Sequence, residues 1–251
     1  MKERELEQIL KQGKKELLES LRSIAGRRVV NAIASIPREN FIDHSMQHLA
    51  YEDIPLPIPG YNPNVITISS PKIVAQMTDL LDPRPTDKVL EIGTGTGYQA
   101  AVLSKLSGRV ISVDVFSDLS SVTKRRLEKL GIDNVDVVVA DGSIPFTKVK
   151  AFEKIIVTAS MFPSPYSPIF SMLNEGGVCV APIGGIEGSE SSCTIIRIRR
   201  EGNRYIIDKK LPGFVFVPML GMAGWGSHYK MIIEQMYSTF YGEESKGWLE
   251  K

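Results

Sequence analysis

Residues 89–99 read VLEIGTGTGYQ, an apolar run that leads directly into three glycines at alternate positions. The apolar part is typical of a buried strand. Glycines are costly in chain entropy and are used where the backbone turns tightly or a ligand comes close. A helix-like segment follows at 97–106. A strand, a glycine turn and a helix in this order predict the ligand-binding turn of an open α/β sheet, because ligands bind there outside the carboxyl ends of the strands.

The segments after residue 87 alternate between strand-like and helix-like patterns. Strands are predicted at 88–92, 109–114, 134–140, 154–158 and 177–183, and helices at 97–106, 117–130 and 165–173. This alternation predicts a doubly wound, mostly parallel α/β sheet with helices on both faces. Three later apolar segments, TIIRIRR, YIIDKKL and FVFVP, are separated by short turns and are expected to add antiparallel strands at one edge.

The N-terminal third is predicted to be helical up to a proline-rich stretch. Amphipathic patterns predict helices at 3–24 and 28–36, and an irregular segment covers 37–66. A further helix is expected to begin near Ser70-Pro71 and to run to Asp82-Pro83, since serine caps helices and proline fits the first helical position. A last helix is predicted at 228–241.

The composition of the 251 residues is that of an ordinary globular protein with balanced charge. The net charge of +1 gives no reason to expect nucleic acid or an anionic membrane as a partner. No apolar run approaches the ~20 residues of a membrane helix, and the charged N-terminus lacks the apolar part of a signal peptide. The two cysteines show no metal-binding spacing and are expected to be reduced. These features predict a cytoplasmic protein without a metal site, either a monomer or a small homo-oligomer.

The glycine spacing and the acid before it indicate the kind of ligand. A dinucleotide fingerprint reads G-x-G-x-x-G and holds a pyrophosphate. Here the spacing is G-x-G-x-G, and Tyr98 stands where that third glycine falls. A carboxylate at Glu91, two residues before Gly93, repels a pyrophosphate and attracts a cation. We therefore expect a nucleoside that carries a positive charge, such as S-adenosylmethionine, and regard a nicotinamide-dependent oxidoreductase as the weaker alternative.

Two further acids are expected at the same edge of the sheet. Asp114 ends a strand about 20 residues past the loop, where an acid accepts hydrogen bonds from ribose hydroxyls in several nucleotide-binding classes. Asp141 and Gly142 follow the next strand, where a carboxylate is placed to accept from the exocyclic amine of adenine. Each acid taken alone is a common turn residue. In register with one glycine loop, the two favour a nucleoside site.

Several segments resemble the protein-L-isoaspartate (D-aspartate) O-methyltransferase family, over about residues 28–220. They read IPRENF (36–41), LAYEDIPLPI (49–58), TIS (67–69), VLEIGTGTGYQAAVL (89–103), ADG (140–142), IIVTAS (155–160), LNEGGVCVAPIG (173–184) and FVPML (216–220). The glycine loop is common to methyltransferases in general, whereas IPRENF, the LPI–TIS region and FVP are more particular to this family. The resemblance implies a Rossmann-like class I S-adenosylmethionine-dependent methyltransferase that repairs proteins by methylating the α-carboxyl group of isoaspartyl residues in proteins and peptides.

The same resemblance implies roles for individual residues. Ser69 matches the serine regarded as the family's active-site residue, and Thr67 and Val217 are assigned to substrate binding. The cofactor-binding positions are Glu91, Gly93, Thr94, Gly95, Gly97, Asp114, Asp141 and Gly142. Glu91 and the glycines are expected at the methionine end of the cofactor. From the residues alone, the favoured interpretation of Ser69 is a serine at a helix entry that only caps.

The resemblance also bears on domain organisation and on the alternatives. One domain is expected over 1–251, with N-terminal helices and a substrate loop (1–66), a catalytic core (67–220) and a helical tail (221–251). The link 59–66 is longer and richer in proline and asparagine than is usual for the family. That difference motivates two other hypotheses: a related methyltransferase with a different carboxylate or small-molecule substrate, and a non-catalytic homologue that only binds the cofactor.

Overall fold

The computed structural model describes residues 3–61, 66–147, 150–162, 167–184 and 192–225. The α-helices are α1 (Glu3–Leu21), α2 (Arg27–Ser35), α3 (Pro71–Leu81), α4 (Tyr98–Ser104) and α5 (Ser117–Lys129). The strands are β1 (Leu56–Pro57), β2 (Thr67–Ile68), β3 (Lys88–Ile92), β4 (Arg109–Asp114), β5 (Val135–Val139), β6 (Phe152–Val157), β7 (Leu173–Ile183), β8 (Cys193–Glu201) and β9 (Arg204–Phe214). Short 3-10 helices cover Arg38–Phe41, His44–Leu49 and Pro168–Met172.

The central sheet has seven strands in the order β5-β4-β3-β6-β7-β8-β9. The pairs from β5 to β7 are parallel, and β8 and β9 join them in antiparallel fashion. The chain fills one half of the sheet from β3 outward to β5 and then returns to place β6 on the other side of β3. The predicted doubly wound sheet with antiparallel C-terminal strands is confirmed, and its topological switch point lies at the carboxyl ends of β3 and β6.

The central strands are apolar on both faces because helices or loops cover each face. On β3, Val89 and Leu90 are both 0% exposed and belong to different core clusters. Val89 packs in one cluster with Met77 and Leu81 of α3, whereas Leu90 packs in another with Phe170. Burial on both faces is typical of parallel strands, and it holds the carboxyl end of β3 rigidly in place.

The N-terminal helices cover the glycine-loop side of the sheet. Leu17 and Leu21 of α1 and Ile33 of α2 are buried in a cluster that also contains Tyr98 and Val102 of α4. The segment 37–66, predicted to be irregular, contains two 3-10 helices and β1, which pairs antiparallel with β2 so that Leu56 faces Ile68. That pair sets the position of the TIS segment at the start of α3.

Two sequence predictions of secondary structure are wrong. The helix expected at 165–173 is a 3-10 turn of Pro168–Met172 that runs straight into β7, which begins at Leu173. The segment FVFVP is not a separate strand. β9 ends at Phe214, and Gly213 there has a φ of +94°, which redirects the chain. The helix predicted at 228–241 and most of the expected tail lie outside the described residues.

None of the helices among the described residues is long and apolar enough to cross a bilayer. Over the same residues, no group of three or more His, Cys, Asp and Glu side chains is arranged to hold a metal ion.

Candidate active site

A cavity opens at the carboxyl ends of the central strands, where the glycine loop, the TIS segment and the chain after β9 meet. Its lining comprises Ile66, Thr67, Ile68, Ser69, Ile73, Val74, Met77, Ile92, Gly93, Thr94, Gly95, Thr96, Tyr98, Gln99, Val113, Asp114, Val115, Phe116, Gly142, Thr158, Ala159, Val217, Pro218, Met219 and Leu220. Most of the residues assigned from the sequence therefore lie around one space. Gly97, Glu91 and Asp141 stand behind the lining.

The glycine loop has the conformation that a closely bound ligand requires. Gly93 has a φ of +100°, and a Cβ there would lie 2.3 Å from Oγ1 of Thr158. Gly95 has a φ of +52°, and a Cβ there would meet nothing within 4 Å. The loop is thus packed tightly beneath Gly93 and leaves free space above Gly95. Gly97 then provides the N-cap of α4.

Asp114 binds the glycine loop through its side chain. Its Oδ2 accepts a 2.8 Å hydrogen bond from the amide of Gly95, and its Oδ1 accepts one of 3.1 Å from the amide of Phe116. Burial raises the pKa of Asp114, and the backbone donors oppose that rise. Each carboxylate oxygen retains acceptor capacity beyond these single bonds. Asp114 can therefore hold the loop and still accept hydrogen bonds from a diol in the cavity.

Glu91 is placed differently from the sequence expectation of a carboxylate that faces the ligand. It is 0% exposed and does not line the cavity. The hydroxyl of Ser112 donates to its Oε2, and the hydroxyls of Ser112 and Thr94 lie 2.6 Å apart. Burial raises the pKa of Glu91 to about 8, so the carboxyl group carries a proton at neutral pH. Glu91 thus supports Thr94 of the glycine loop from beneath through Ser112.

Asp141 and Gly142 occupy two sides of the same turn. Gly142 lines the cavity and fits tightly, since a Cβ there would lie 2.7 Å from Cγ2 of Ile92. The Oδ1 of Asp141 accepts from the amide and hydroxyl of Ser143 at 2.9 and 2.6 Å, and its Oδ2 accepts from the amide of Met222 at 2.7 Å. Asp141 therefore fastens the chain after β9 to the wall in which Gly142 lies.

The TIS segment forms part of the cavity wall. Thr67 and Ser69 both line it. Ser70 occupies the N-cap position of α3, as predicted, but its hydroxyl makes no capping hydrogen bond. Val217 lines the cavity as well, and its carbonyl accepts a 2.7 Å hydrogen bond from the amide of Ser160. Ser69 and Val217 thus share one space with the glycine loop.

Sequence reasoning missed three residues that shape this site. The hydroxyl of Thr158 donates to the carbonyl of Gly93 at 2.7 Å, which fixes the loop from the neighbouring strand end. Phe116 lines the cavity two residues after Asp114, and Tyr61 packs edge-on against its ring at 5.5 Å. The position of Thr158 directly after β6 was a usable signal, because functional residues gather at strand ends. Arg38, which donates to the carbonyl of Ser69 at 2.9 Å, lies in the IPRENF motif, which supported the family resemblance without indicating a role for this side chain.

Comparison with known proteins shows the family of this chain. A family model described as Protein-L-isoaspartate(D-aspartate) O-methyltransferase (PCMT) matches residues 11–224. The chain belongs to this family.

Named relatives match over most of their length. The chain is 42% identical over 204 residues to Protein-L-isoaspartate O-methyltransferase 2 of Pelobacter propionicus, covering 81% of this chain and 87% of that protein. It is 40% identical over 215 residues to the Protein-L-isoaspartate O-methyltransferase of Dictyoglomus turgidum, covering 84% of this chain and 93% of that one.

A solved structure of a protein-L-isoaspartate O-methyltransferase superposes with a TM-score of 0.73 at 28% identity. The superposition covers 84% of this chain and 67% of the chain in that structure. The seven-stranded sheet is accordingly the class I fold of S-adenosylmethionine-dependent methyltransferases. The family match begins at residue 11, so it includes part of α1, which the sequence resemblance left out.

The cavity of this family member suits S-adenosylmethionine, the methyl donor. The free space above Gly95 admits a ligand against the backbone, and the side chain of Asp114 lies at the same turn. Among the described lining residues there is no lysine, arginine or histidine that would repel a sulfonium or an ammonium group. The residues present therefore fit a cationic nucleoside.

Proposed function

We propose that this protein transfers the methyl group of S-adenosylmethionine to the α-carboxyl group of L-isoaspartyl residues in proteins and peptides. The observation that carries the proposal is the shared cavity, in which Ser69 faces the same space as the glycine loop and Asp114. The family gives the chemistry, and the cavity brings an acceptor-orienting hydroxyl together with the cofactor-binding residues.

The cofactor, when bound, supplies an electrophilic methyl group, and the acceptor is a substrate carboxylate. That carboxylate is already ionised at neutral pH, given a reference pKa of about 3.9 for aspartate. No general base is required, and the described lining contains no histidine or lysine. Transfer forms an O–CH₃ bond, breaks an S–CH₃ bond and leaves S-adenosylhomocysteine. In the chemistry known for the family, the methyl ester then cyclises to a succinimide without further action of the enzyme.

The work left for this chain is to hold and orient its two ligands. Positioning of this kind contributes several kcal/mol to catalysis. We assign Ser69 and Thr67, which both line the cavity, to donate from their hydroxyl groups to one carboxylate oxygen and so direct the other toward the methyl carbon. Asp114 holds the ribose through its free acceptor positions. Gly93, Thr94, Gly95 and Gly97 form the cradle beneath the methionine part, with Glu91 supporting Thr94 from below.

The remaining assignments concern the adenine and the peptide. Gly142 gives the adenine a flat wall, and Asp141 holds that wall in place through Ser143 and Met222. Val217 lies in the segment after β9 and lines the cavity, and we assign it to contact with the substrate peptide. The proposed partners are isoaspartyl-containing proteins and peptides.

The test is transfer of labelled methyl from S-adenosylmethionine to a matched peptide pair, one with isoaspartate and one with normal aspartate. Base-labile label on the isoaspartyl peptide alone supports the proposal. Label on the normal peptide alone, or on neither peptide while the cofactor binds, overturns it and favours a different acceptor or a protein that only binds the cofactor.

A further inference from the structure

Arg38 carries a guanidinium group that is entirely buried, with 0% of the residue exposed. Burial lowers its pKa to about 10, so it remains a cation at neutral pH. Among the described residues, no carboxylate lies within ion-pair distance of it. A buried cation without an ion pair is costly unless its donors are satisfied, so the groups to which Arg38 donates indicate what it does.

Its two terminal nitrogens donate to backbone carbonyls, one inside the TIS segment and the other upstream of it, whereas Nε has no hydrogen-bond partner among the described residues. Nη2 donates to the carbonyl of Ser69 at 2.9 Å, and Nη1 donates to that of Ala50 at 2.5 Å. A guanidinium presents its donors in a rigid plane, so one side chain can fix two carbonyls relative to each other. The backbone of Ser69, a residue that lines the cavity, is thereby fastened to the segment around Ala50.

The guanidinium of Arg38 also contacts α4, the helix that follows the glycine loop. Its guanidinium lies 5.6 Å from the ring centre of Tyr98, the first residue of α4. Phe41 packs edge-on against Tyr98 at 5.5 Å, and Arg126 lies 5.8 Å from the ring of Phe41. Nη1 of Arg126 in turn donates to the carbonyl of Thr96 at 2.9 Å. Charged and aromatic side chains therefore connect the carbonyl of Ser69 continuously to the glycine loop.

We propose that Arg38 is a positioning residue that holds the hydroxyl of Ser69 at a fixed place relative to the glycine loop. The inference rests on the proposed function insofar as Ser69 orients the acceptor carboxylate. Arg38 touches no substrate and no cofactor. It acts through the carbonyl of Ser69, so its loss displaces the hydroxyl while leaving the cofactor cradle in place.

A purely structural role is the competing explanation, because a buried arginine also holds the N-terminal region together. The positioning role and the purely structural role differ in whether an uncharged replacement of Arg38 displaces Ser69. We would compare Arg38→Met, which keeps the length but removes the donors, with Arg38→Lys, which keeps the charge but not the planar fork. Val30→Ala is the matched control, because it removes core volume from the same N-terminal cluster without touching Ser69.

Steady-state kinetics on the isoaspartyl peptide test the catalytic side. We expect Arg38→Met to lower kcat by about 10- to 100-fold, the range that a small misplacement of a reacting group produces. Arg38→Lys should recover part of that loss. The dissociation constant for S-adenosylmethionine should change less than about threefold in both. A kcat that follows only the folded fraction, as expected for Val30→Ala, overturns the proposal.

A double-mutant cycle between Arg38 and Ser69 tests whether Arg38 acts through Ser69. If Arg38 acts through Ser69, adding Arg38→Met to Ser69→Ala causes little further loss of kcat, since residues that act together are not additive. Fully additive losses contradict the proposal.

Hydrogen exchange gives a readout that does not depend on methyl transfer. Amides of residues 66–73 should exchange faster in Arg38→Met than in Val30→Ala at equal global stability. If the wild-type protein fails to methylate isoaspartyl peptides, the proposed function fails and this measurement still decides whether Arg38 positions the segment. Equal exchange in the two variants overturns the positioning role.

Discussion

The amide of Gly95 donates a 2.8 Å hydrogen bond to Oδ2 of Asp114, which joins the middle of the glycine loop to the end of β4. A single carboxylate thus fixes the conformation of the loop and presents its remaining acceptor positions to the cavity. Because β3 and β4 are parallel neighbours, the loop after one strand and the acid ending the other meet without any long connection. The glycine loop and the carboxylate of Asp114, to which we assign the ribose, are therefore joined by a direct hydrogen bond.

Replacement of Asp114 by alanine should weaken binding of S-adenosylmethionine by about 1–3 kcal/mol, because it leaves ribose hydroxyls and the Gly95 amide without an acceptor. Isothermal titration calorimetry measures this directly. Asp136→Ala is the control, since Asp136 pairs with Arg109 on the exposed surface. An unchanged dissociation constant in Asp114→Ala would show that the ribose lies elsewhere.

Replacement of Gly95 by alanine tests whether a side chain at this position affects stability alone or also the binding of the cofactor. At a φ of +52° any side chain costs about 1–2 kcal/mol of stability, and the methyl group would enter the space where the cofactor is expected. Gly202→Ala is a matched control, with a φ of +63° and nothing within 4 Å of its Cβ. Both variants should lose similar stability in chemical denaturation, and only Gly95→Ala should lose cofactor affinity. Equal affinity in the two would place the cofactor away from Gly95.

Replacement of Ser69 by alanine should lower kcat by about 10- to 100-fold, since it removes one donor that orients the acceptor. Cofactor affinity should stay within about threefold, because the hydroxyl is assigned to the carboxylate. The neighbouring Ser70→Ala is the control, as that hydroxyl makes no capping bond. Lost cofactor affinity with normal kcat would instead assign Ser69 to the cofactor.

Replacement of Glu91 by glutamine should change how stability depends on pH. The pKa of the buried carboxyl is raised from 4.5 to about 8, so between these values the folded protein holds a proton that the unfolded chain releases. Stability is therefore lost as pH rises through this window, by about 1.4 kcal/mol per pH unit. Glutamine stays neutral, so Glu91→Gln should exceed the wild type in stability at pH 8 and converge with it near pH 5.

Urea denaturation across that pH range measures the effect of Glu91→Gln. The exposed Glu128→Gln on α5 provides the comparison. Parallel pH profiles for the wild type and Glu91→Gln would mean that the carboxyl is ionised in the folded state.

The strand ends were the most predictable part of the site. Asp114 and Gly142 line the cavity as expected, because the alternation of strands and helices determines which residues share an edge. The environment of Glu91 was not predictable. β3 is buried on both faces, so its apolar pattern does not tell which side chain points toward the ligand.

Other features depend on contacts that no local pattern encodes. Asp141 was assigned to adenine, yet its Oδ2 binds the amide of Met222, which lies 81 residues later in the chain. Arg38 lies in a segment whose prolines predicted only irregular structure, and its role depends on the distant carbonyl of Ser69. β9 ends at Phe214, one residue after Gly213 with its positive φ, although the apolar run FVFVP predicted a strand there.

The bonds between residues 141–143 and 222–223 also matter for biosynthesis. The amides of Met222 and Ala223 donate to Asp141 and Ser143, so one wall of the cavity is completed by residues translated long after the glycine loop. In a nascent chain whose residues up to 223 have not yet left the ribosome, the side chains of Asp141 and Ser143 lack these donors. The segment that contains Val217 is also not yet available to the cavity. Partly synthesised copies, and copies cleaved before residue 222, therefore lack the residues that complete this wall of the cavity.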